Sequence, residues 1–377
     1  MSAKAVNVND IIDRAKFSGF HFQVVAWCLL IILFDGYDLA INGVVLPLLM
    51  EDWGLSAVQA GMLASTALAG MMFGAMIFGS LADKIGRKKV IMICIVLFSG
   101  LTCAGGFASN PTEFAVLRFL AGLGIGGVMP NLVALTSECA PQKMRSTLVT
   151  TMFSGYAVGG VMAALLGAWF TPSFGWQIMF FIAGIPLLLL PVIWKFLPES
   201  LTFIVQQNRQ AEARKIVRRL APTVTVKEDT TFELHQVDVP ESANVVSLFK
   251  RGRAVNTLLF WLAFFTCLLT MYALSSWLPK LMMAAGYSMD NSLMFMMVMN
   301  IGAVIGIVGG GILADRFHLK PVLMCLGMMG AVVMSLMGFQ SNQFLLYILV
   351  FLAGAASIGS QMLLYSYVAQ YYPLAVR

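Results

Sequence analysis

Ten apolar segments, each long enough to cross a membrane, constrain the fold of this chain more than any other feature. A helix needs about 20 apolar residues to cross the hydrocarbon core of a bilayer. Only 11% of the 377 residues are charged, and the mean hydropathy is +0.84, which excludes a water-soluble globular protein of ordinary composition. The sequence predicts an all-α polytopic membrane protein with spans near residues 23–50, 58–81, 90–108, 114–138, 148–171, 176–196, 256–279, 291–313, 321–339 and 344–369.

Lysine and arginine residues are distributed unevenly about these spans. If the N-terminus is cytoplasmic, all of the 24 basic residues except Arg118 and Lys280 fall on the cytoplasmic side. This asymmetry follows the positive-inside rule and predicts that orientation. The net charge of +6 therefore reflects topology. Nucleic acid is not an expected partner, because no soluble segment combines a basic patch with stacking aromatic residues.

Two aspartates, Asp35 and Asp38, lie in the middle of the first span. An ionised aspartate at mid-bilayer costs about 2.5 to 3.5 kcal/mol even on lenient insertion scales, and residues three apart share one face of a helix. We interpret this face as the lining of a polar cavity whose carboxylates bind protons during transport. The alternative is a structural pair of aspartates buried against a neighbouring helix.

Arg118 in the fourth span is the expected partner of these acids. At 1.5 Å per residue, Asp35 and Asp38 lie roughly 18 to 22 Å from the start of their span, and Arg118 lies about 8 Å from the outer end of its own. These depths nearly coincide in a hydrocarbon core of about 30 Å. The sequence therefore predicts an ion pair of Arg118 with Asp35 or with Asp38, which would lower the cost of burying the charges.

The second half of the chain repeats the first at a constant offset. The membrane-buried charged residues of the first half are not repeated, since Asp35, Asp38 and Arg118 correspond to Cys267, Thr270 and Val350. Proton handling is therefore expected in the first half. The matching pairs are Pro47 and Pro279, Gly54 and Gly286, Ser56 and Ser288, Gly70 and Gly302, Gly74 and Gly306, Asp83 and Asp315, Gly122 and Gly354, Pro141 and Pro373, and Arg145 and Arg377.

Two basic loops and a glycine-rich part of the fourth span carry recognisable patterns. Residues 79–89 read G-S-L-A-D-K-I-G-R-K-K, residues 118–127 read R-F-L-A-G-L-G-I-G-G, and residues 138–145 read E-C-A-P-Q-K-M-R. The first two patterns resemble the signature sequences of the major facilitator superfamily, in which duplicated halves place the substrate site near mid-membrane. A topology signal alone is the alternative for the basic loops. We predict a cytoplasmic gate that contains Asp83, Arg87, Glu138, Arg145, Asp315 and Arg316.

The resemblance also implies a domain plan of two six-helix repeats. The partners of spans five and six would fall beyond Arg377, so we expect a fold that lacks the last two helices. Ser200 is a candidate N-cap for a basic amphipathic stretch that carries Arg214, Lys215, Arg218 and Arg219, which we expect to lie against the anionic leaflet. The predicted parts are a cytoplasmic leader (1–21), an N-terminal six-helix bundle (22–196), a cytoplasmic linker (197–253) and a C-terminal bundle with four of six helices (254–377).

Within the superfamily, D-G-Y-D at 35–38 is similar to the D-G-x-D signature of the aromatic acid/proton symporters. The runs S-W-L-P-K at 276–280 and L-A-D-R-F-H at 313–318 resemble the bacterial benzoate transporters. The resemblance implies proton-coupled symport of an aromatic carboxylate, benzoate first, by alternating access at the bacterial inner membrane. It assigns proton coupling to Asp35, Asp38 and Arg118. Symport of 4-hydroxybenzoate, protocatechuate or muconate, export, and sensing without flux are the alternatives.

A flat aromatic anion needs a positive or strongly donating group between apolar and aromatic walls. Arg118 is the candidate for the carboxylate. Packing or an interhelical hydrogen bond is the alternative role for each further candidate. The expected partners are the aromatic anion, protons and the lipid bilayer, with the protein as a monomer. No enzyme, cofactor or metal site is predicted, because no nucleophile and base, metal cluster or phosphate-binding glycine loop is visible. The further candidate walls and donors are Tyr37, Asn42, Asn131, Tyr272, Trp277, Asn300, Gln361 and Tyr365.

Overall fold

The computed structural model describes residues 5–222, 230–233, 249, 253–339 and 342–371. Ten helical segments of this described part are long and apolar enough to cross a membrane, as the sequence predicts. The elements are β1 (Ala5–Asn7), α1 (Val8–Arg14), α2 (Gly19–Asp52), α3 (Ala57–Ile85), α4 (Arg87–Gly105), α5 (Pro111–Cys139), α6 (Arg145–Phe174), α7 (Gln177–Ile182), α8 (Ile185–Phe196), α9 (Leu201–Gln206), α10 (Gln210–Leu220), β2 (Thr231–Glu233), α11 (Ala254–Ala284), α12 (Met289–Phe317), α13 (Leu319–Met337) and α14 (Gln343–Tyr371). The sixth span consists of α7 and α8 together.

Helix boundaries follow local sequence signals that recur in both halves. Ser56 and Ser288 cap α3 and α12, and each side-chain oxygen accepts a hydrogen bond from the backbone N–H three residues ahead. Gly54 and Gly286 precede these caps with φ angles of +62° and +95°, a region that residues with a Cβ rarely adopt. The duplication inferred from the sequence is therefore also a duplication of local structure.

The first compact unit runs from Met1 to His235. In this unit α2 packs along α6, α3 and α4 pack against α5, and α7 and α8 lie on α4. A Cβ at Gly70 would collide with the backbone carbonyl of Phe119, and one at Gly122 would collide with that of Ala67. Glycine thus allows α3 and α5 to approach at backbone distance, as small residues commonly do between membrane helices.

The second compact unit runs from Gln236 to Arg377. Here α12 and α13 pack against α14, and α11 contacts α12 and α14. Gly302 approaches the carbonyl of Phe351, and Gly354 approaches that of Met299. These two contacts are equivalent, at the repeat offset, to those of Gly70 and Gly122 in the first unit. Gly70, Gly122, Gly302 and Gly354 therefore have the same packing role in both units.

Two segments outside the spans contact each other. β1 and β2 pair as parallel strands, with Val6 opposite Phe232, so the leader and the linker are joined. Ser200 caps α9 as predicted, and its Oγ accepts a hydrogen bond from the Phe203 N–H. The amphipathic stretch is two helices, because the chain turns at Asn208, where φ is +55°. The first unit therefore includes the leader and the start of the linker.

Candidate functional site

A buried ion pair between α2 and α5 forms the centre of the candidate site. Arg118 Nη1 donates to both carboxylate oxygens of Asp38, at 3.0 and 3.1 Å. Arg118 Nη2 donates to the backbone carbonyl of Asp38 at 3.4 Å. The exposed fractions of the two side chains are 1% for Arg118 and 0% for Asp38. Of the two pairings that the sequence left open, the structure forms the one with Asp38.

Two further side chains contact the Arg118 guanidinium. Thr102 of α4 is fully buried, and its Oγ1 accepts a hydrogen bond from Arg118 Nη1 at 3.2 Å. The ring centre of Phe180 on α7 lies 6.0 Å from the guanidinium carbon, within cation–π range. Sequence reasoning missed both residues. Ser99 and Thr102 share one face of the apolar part of α4, which was a readable signal, whereas no local pattern marks Phe180.

Asp35 is buried without such a partner. Its exposed fraction is 0%, and neither carboxylate oxygen has a hydrogen-bond partner among the described residues. An ionised carboxylate without compensation is costly in an apolar interior, whereas a protonated one carries no charge to compensate. The two aspartates of the first span therefore differ in kind: Asp38 binds Arg118, and Asp35 is an isolated acid.

The close packing of α2 against α6 accounts for Gly36, the glycine between the two acids. Helices α2 and α6 lie so close that a Cβ at Gly36 would collide with the backbone carbonyl of Tyr156. Gly159 allows the same close approach from α6, because a Cβ there would collide with the carbonyl of Leu33 on α2. The D-G-Y-D run thus combines two buried acids with a point of closest helix approach.

Two of the three other candidates of the first unit contact the protein backbone. Tyr37 is fully buried, and its hydroxyl donates to the Met179 carbonyl at 2.9 Å. Asn131 Nδ2 donates to the Gly127 carbonyl at 2.8 Å, and Asn42 is 9% exposed. Tyr37 and Asn131 thus make the structural contacts that the sequence offered as the alternative to ligand binding.

The candidates of the second unit differ in burial. Asn300 is buried, and its Nδ2 donates to the Met296 carbonyl at 2.9 Å. Gln361 is 2% exposed, and its Oε1 has no hydrogen-bond partner in the described part of the chain. Gln361 is therefore a buried group of this unit with an open acceptor. The partly or largely exposed candidates are Tyr272, Trp277 and Tyr365.

An ionic cluster lies at what we call the basic end of the first unit, defined by residues 83–89 and 138–145. Arg87 donates to Glu138 Oε1 from Nε at 2.8 Å and from Nη2 at 2.5 Å. Ser200 Oγ donates to the other oxygen of Glu138. Asp83 lies 3.8 Å from Arg87 Nη1, and its side chain is 76% exposed. Glu138 is therefore the main acid of this cluster and Asp83 a minor one.

Arg145 belongs to a different contact from Glu138. Its Nη2 lies 2.6 Å from Asp13 Oδ1 on α1, because α1 packs against the turn that precedes α6. Glu138 and Arg145 of the 138–145 segment thus have separate partners. The side chain of Asp315 lies outside the described residues, and Arg316 is exposed.

Known proteins similar to this chain are transporters. The family model described as Major Facilitator Superfamily matches residues 28–377. The benzoate transport protein of Acinetobacter baylyi is 48% identical over 381 aligned residues, which cover 100% of this chain and 82% of that protein. The 4-hydroxybenzoate transporter PcaK of Pseudomonas putida is 35% identical, over 98% of this chain and 83% of its own length. The gentisate transporter of Corynebacterium glutamicum is 35% identical, over 92% of this chain and 73% of its own length.

Solved structures share the fold. The xylose transporter XylE from E. coli, in a partially occluded inward-open conformation, superposes with a TM-score of 0.73 and covers 95% of this chain and 89% of its own. The sequence identity is 20%, so this likeness concerns architecture alone. The predicted all-α polytopic fold is confirmed.

Proposed function

The chain belongs to the major facilitator superfamily, a family of transporters and not of enzymes, and from that premise we propose that it takes up an aromatic carboxylate with protons across the bacterial inner membrane. Benzoate is the proposed substrate, because a relative of 48% identity is a benzoate transport protein. The observation that carries the proposed coupling is an isolated buried acid, Asp35, beside the buried pair of Asp38 and Arg118. The N-terminus and the basic end face the cytoplasm, and a monomer is the working unit.

Arg118 is the proposed binding group for the substrate carboxylate. It is the only arginine or lysine that is buried among the described residues, and a guanidinium matches the planar geometry of a carboxylate. Asp38 occupies it in the structure. Protonation of Asp38 removes the negative charge that holds the pair together, so the substrate anion then replaces Asp38 as the partner. In this way proton binding and anion binding are coupled at one group.

Asp35 is the proposed site of a second proton. One proton with one benzoate anion is electroneutral and gains only from the pH gradient, about 1.4 kcal/mol per pH unit. Two protons with one anion move a net positive charge inward, which adds about 2.3 kcal/mol per 100 mV. Since the surroundings of the two acids differ, we assign Asp38 to substrate exchange and Asp35 to the additional charge.

Alternating access requires a gate that opens and closes at the cytoplasmic side. We place it at the cluster of Arg87, Glu138 and Ser200, which joins α4, α5 and the start of α9. Breaking these contacts would separate the ends of three elements at once. Asp83, Arg145, Asp315 and Arg316 stay predicted members of the gate.

Uptake of radiolabelled benzoate into proteoliposomes, with the protein produced from its complete gene, tests the proposal. With an alkaline interior we expect accumulation, and an interior-negative potential should increase it. Asp35→Asn should preserve the folded protein, because it replaces an unpaired acid with a neutral group of the same shape, and should abolish the increase due to the potential. Asp38→Asn should abolish accumulation.

Glu51→Gln is the matched control, since Glu51 is an exposed acid on the same helix, and it should transport like the wild type. Equal potential dependence in the wild type and in Asp35→Asn would remove Asp35 from the cycle. If no aromatic acid accumulates under any gradient, or if labelled benzoate is extruded, uptake is the wrong function and export by the same fold replaces it.

Competition by unlabelled acids tests the choice of substrate. Two relatives of 35% identity are named for the hydroxylated acids 4-hydroxybenzoate and gentisate, and protocatechuate and muconate complete the series. Unlabelled benzoate should reduce the uptake of labelled benzoate at lower concentration than any of these acids. Stronger competition by a hydroxylated acid would move the assignment to that acid and leave the symport proposal intact.

A further inference from the structure

Helix α10 carries a basic surface that the transport cycle does not use. Its apolar side is fully buried at Ala213, Val217 and Leu220. We propose that the opposite side binds the phosphate headgroup of an anionic phospholipid. An open groove of about 700 Å³ runs along that side and is lined by Ala211, Arg214, Lys215, Arg218 and Arg219.

Hydrogen bonds connect the C-terminal end of α10 to the ends of two membrane helices, α2 and α8. Arg219 Nη2 donates to Gln23 Oε1 on α2 at 3.0 Å, and Gln23 Nε2 donates to the Phe196 carbonyl at the end of α8 at 2.7 Å. The Arg219 guanidinium also lies 5.5 Å from the centre of the Phe20 ring. The groove is therefore held at the level where α2 begins and α8 ends.

Aromatic side chains mark that level as the membrane interface. Trp194 and Phe196 on α8 are 49% and 44% exposed, and Phe22 on α2 is 66% exposed. Lysine nitrogens lie over two of these rings, Lys88 at 4.8 Å from Trp194 and Lys195 at 5.7 Å from Phe196. Amphipathic rings beside basic residues at helix ends are typical of the headgroup region. The basic groove of α10 thus lies at the depth of lipid phosphates.

The charge of the groove suits a phosphate diester. Glu212 is the one acidic residue of α10, and both of its oxygens accept hydrogen bonds from Arg209 at 2.6 Å. One guanidinium group can donate two parallel hydrogen bonds to two phosphate oxygens, and a lysine adds a point charge. Clusters of basic residues next to membrane helices bind anionic lipids in this way. A lipid headgroup is favoured over free phosphate because the groove is held at the interface.

Native mass spectrometry of the purified protein in detergent micelles tests the site. The wild type should retain dioleoylphosphatidylglycerol in preference to dioleoylphosphatidylcholine. Lys215→Gln/Arg218→Gln should bind the anionic lipid about thirty-fold more weakly, because each basic residue near an anionic surface contributes roughly a five-fold factor. Lys143→Gln/Lys320→Gln removes the same charge from exposed positions elsewhere and should retain the lipid.

Two further variants separate loss of binding from loss of structure. Lys215→Arg/Arg218→Lys keeps both charges and should retain the lipid, and Lys215→Gln alone, at an exposed side chain, should bind about five-fold more weakly. Equal retention of both lipids, or equal weakening in the two glutamine double variants, would overturn the proposal. Displacement of the lipid by millimolar inorganic phosphate would also overturn it, since the groove would then be a site for free anions.

Discussion

The two halves of this chain share the glycine contacts between their second and fourth helices but not their buried charges. Gly70 and Gly302 approach a backbone carbonyl at equivalent places. Where the first unit buries the pair of Asp38 and Arg118, the second has Thr270 and Val350, and Val350 is 1% exposed. At the place equivalent to Asp35, Cys267 lies with its sulfur 3.8 Å from Ser360 Oγ. The scaffold thus forms without buried charges, so the charges of the first unit need a reason other than folding.

Breaking the buried pair should have the largest effect on stability. Arg118→Gln leaves Asp38 buried without a partner, which we expect to destabilise the protein by about 3 to 5 kcal/mol. Removing both charges with Asp38→Asn/Arg118→Gln should recover most of that loss. Val350→Ala, at the equivalent place of the second unit, should cost about 2 kcal/mol, for the lost methyl groups and the cavity they leave. Denaturation of the purified variants in detergent measures all of these changes.

The contrast between the halves would be lost if Arg118→Gln were no more destabilising than Val350→Ala. A double variant as unstable as Arg118→Gln would show that the arginine contributes through packing, with its charge of little consequence.

The shared glycine contacts should give a smaller and equal effect in both halves. Gly70→Ala and Gly302→Ala place a Cβ against a backbone carbonyl, and overpacking of this kind costs about 1 to 3 kcal/mol. Gly79→Ala and Gly309→Ala are matched controls, since a Cβ there meets nothing within 4 Å, and each should gain up to about 1 kcal/mol in helix propensity. The melting temperatures of the four variants check this. A cost at Gly70 without one at Gly302 would mean that the halves do not depend on the same packing.

The basic end should show the smallest effects, and its pair of Arg87 and Glu138 is not repeated in the second half, because these residues correspond to Leu319 and Gln370. Glu138→Gln weakens charged hydrogen bonds from Arg87 and Ser200 and should cost about 1 to 2 kcal/mol. Asp83→Asn removes an exposed charge and should cost at most about 0.5 kcal/mol. Unfolding at low and high salt measures both. A larger loss in Asp83→Asn than in Glu138→Gln would reverse the assignment of the main acid.

Much of this molecule could be predicted from residue type and order. The ten spans, the repeat and the presence of Asp35, Asp38 and Arg118 at one depth depend on hydropathy and spacing along the chain. Contacts across the fold were not accessible in this way. Thr102 and Phe180 approach Arg118 from α4 and α7, and Asp13 reaches Arg145 from the leader. Side-chain partners from other helices depend on how those helices pack, which no local pattern records.

The difference between what the sequence determines and what the tertiary structure adds is clearest at the two aspartates. The sequence by itself determined that two acids share one face of the first span at the depth of an arginine. Only the tertiary structure decided that Asp38 takes the arginine and that Asp35 stays isolated. The two acids differ by about 4.5 Å along the helix axis, which is less than the accuracy with which span ends can be placed. The close contact of α2 with α6 at Gly36 and the packing of α5 determine which acid faces Arg118.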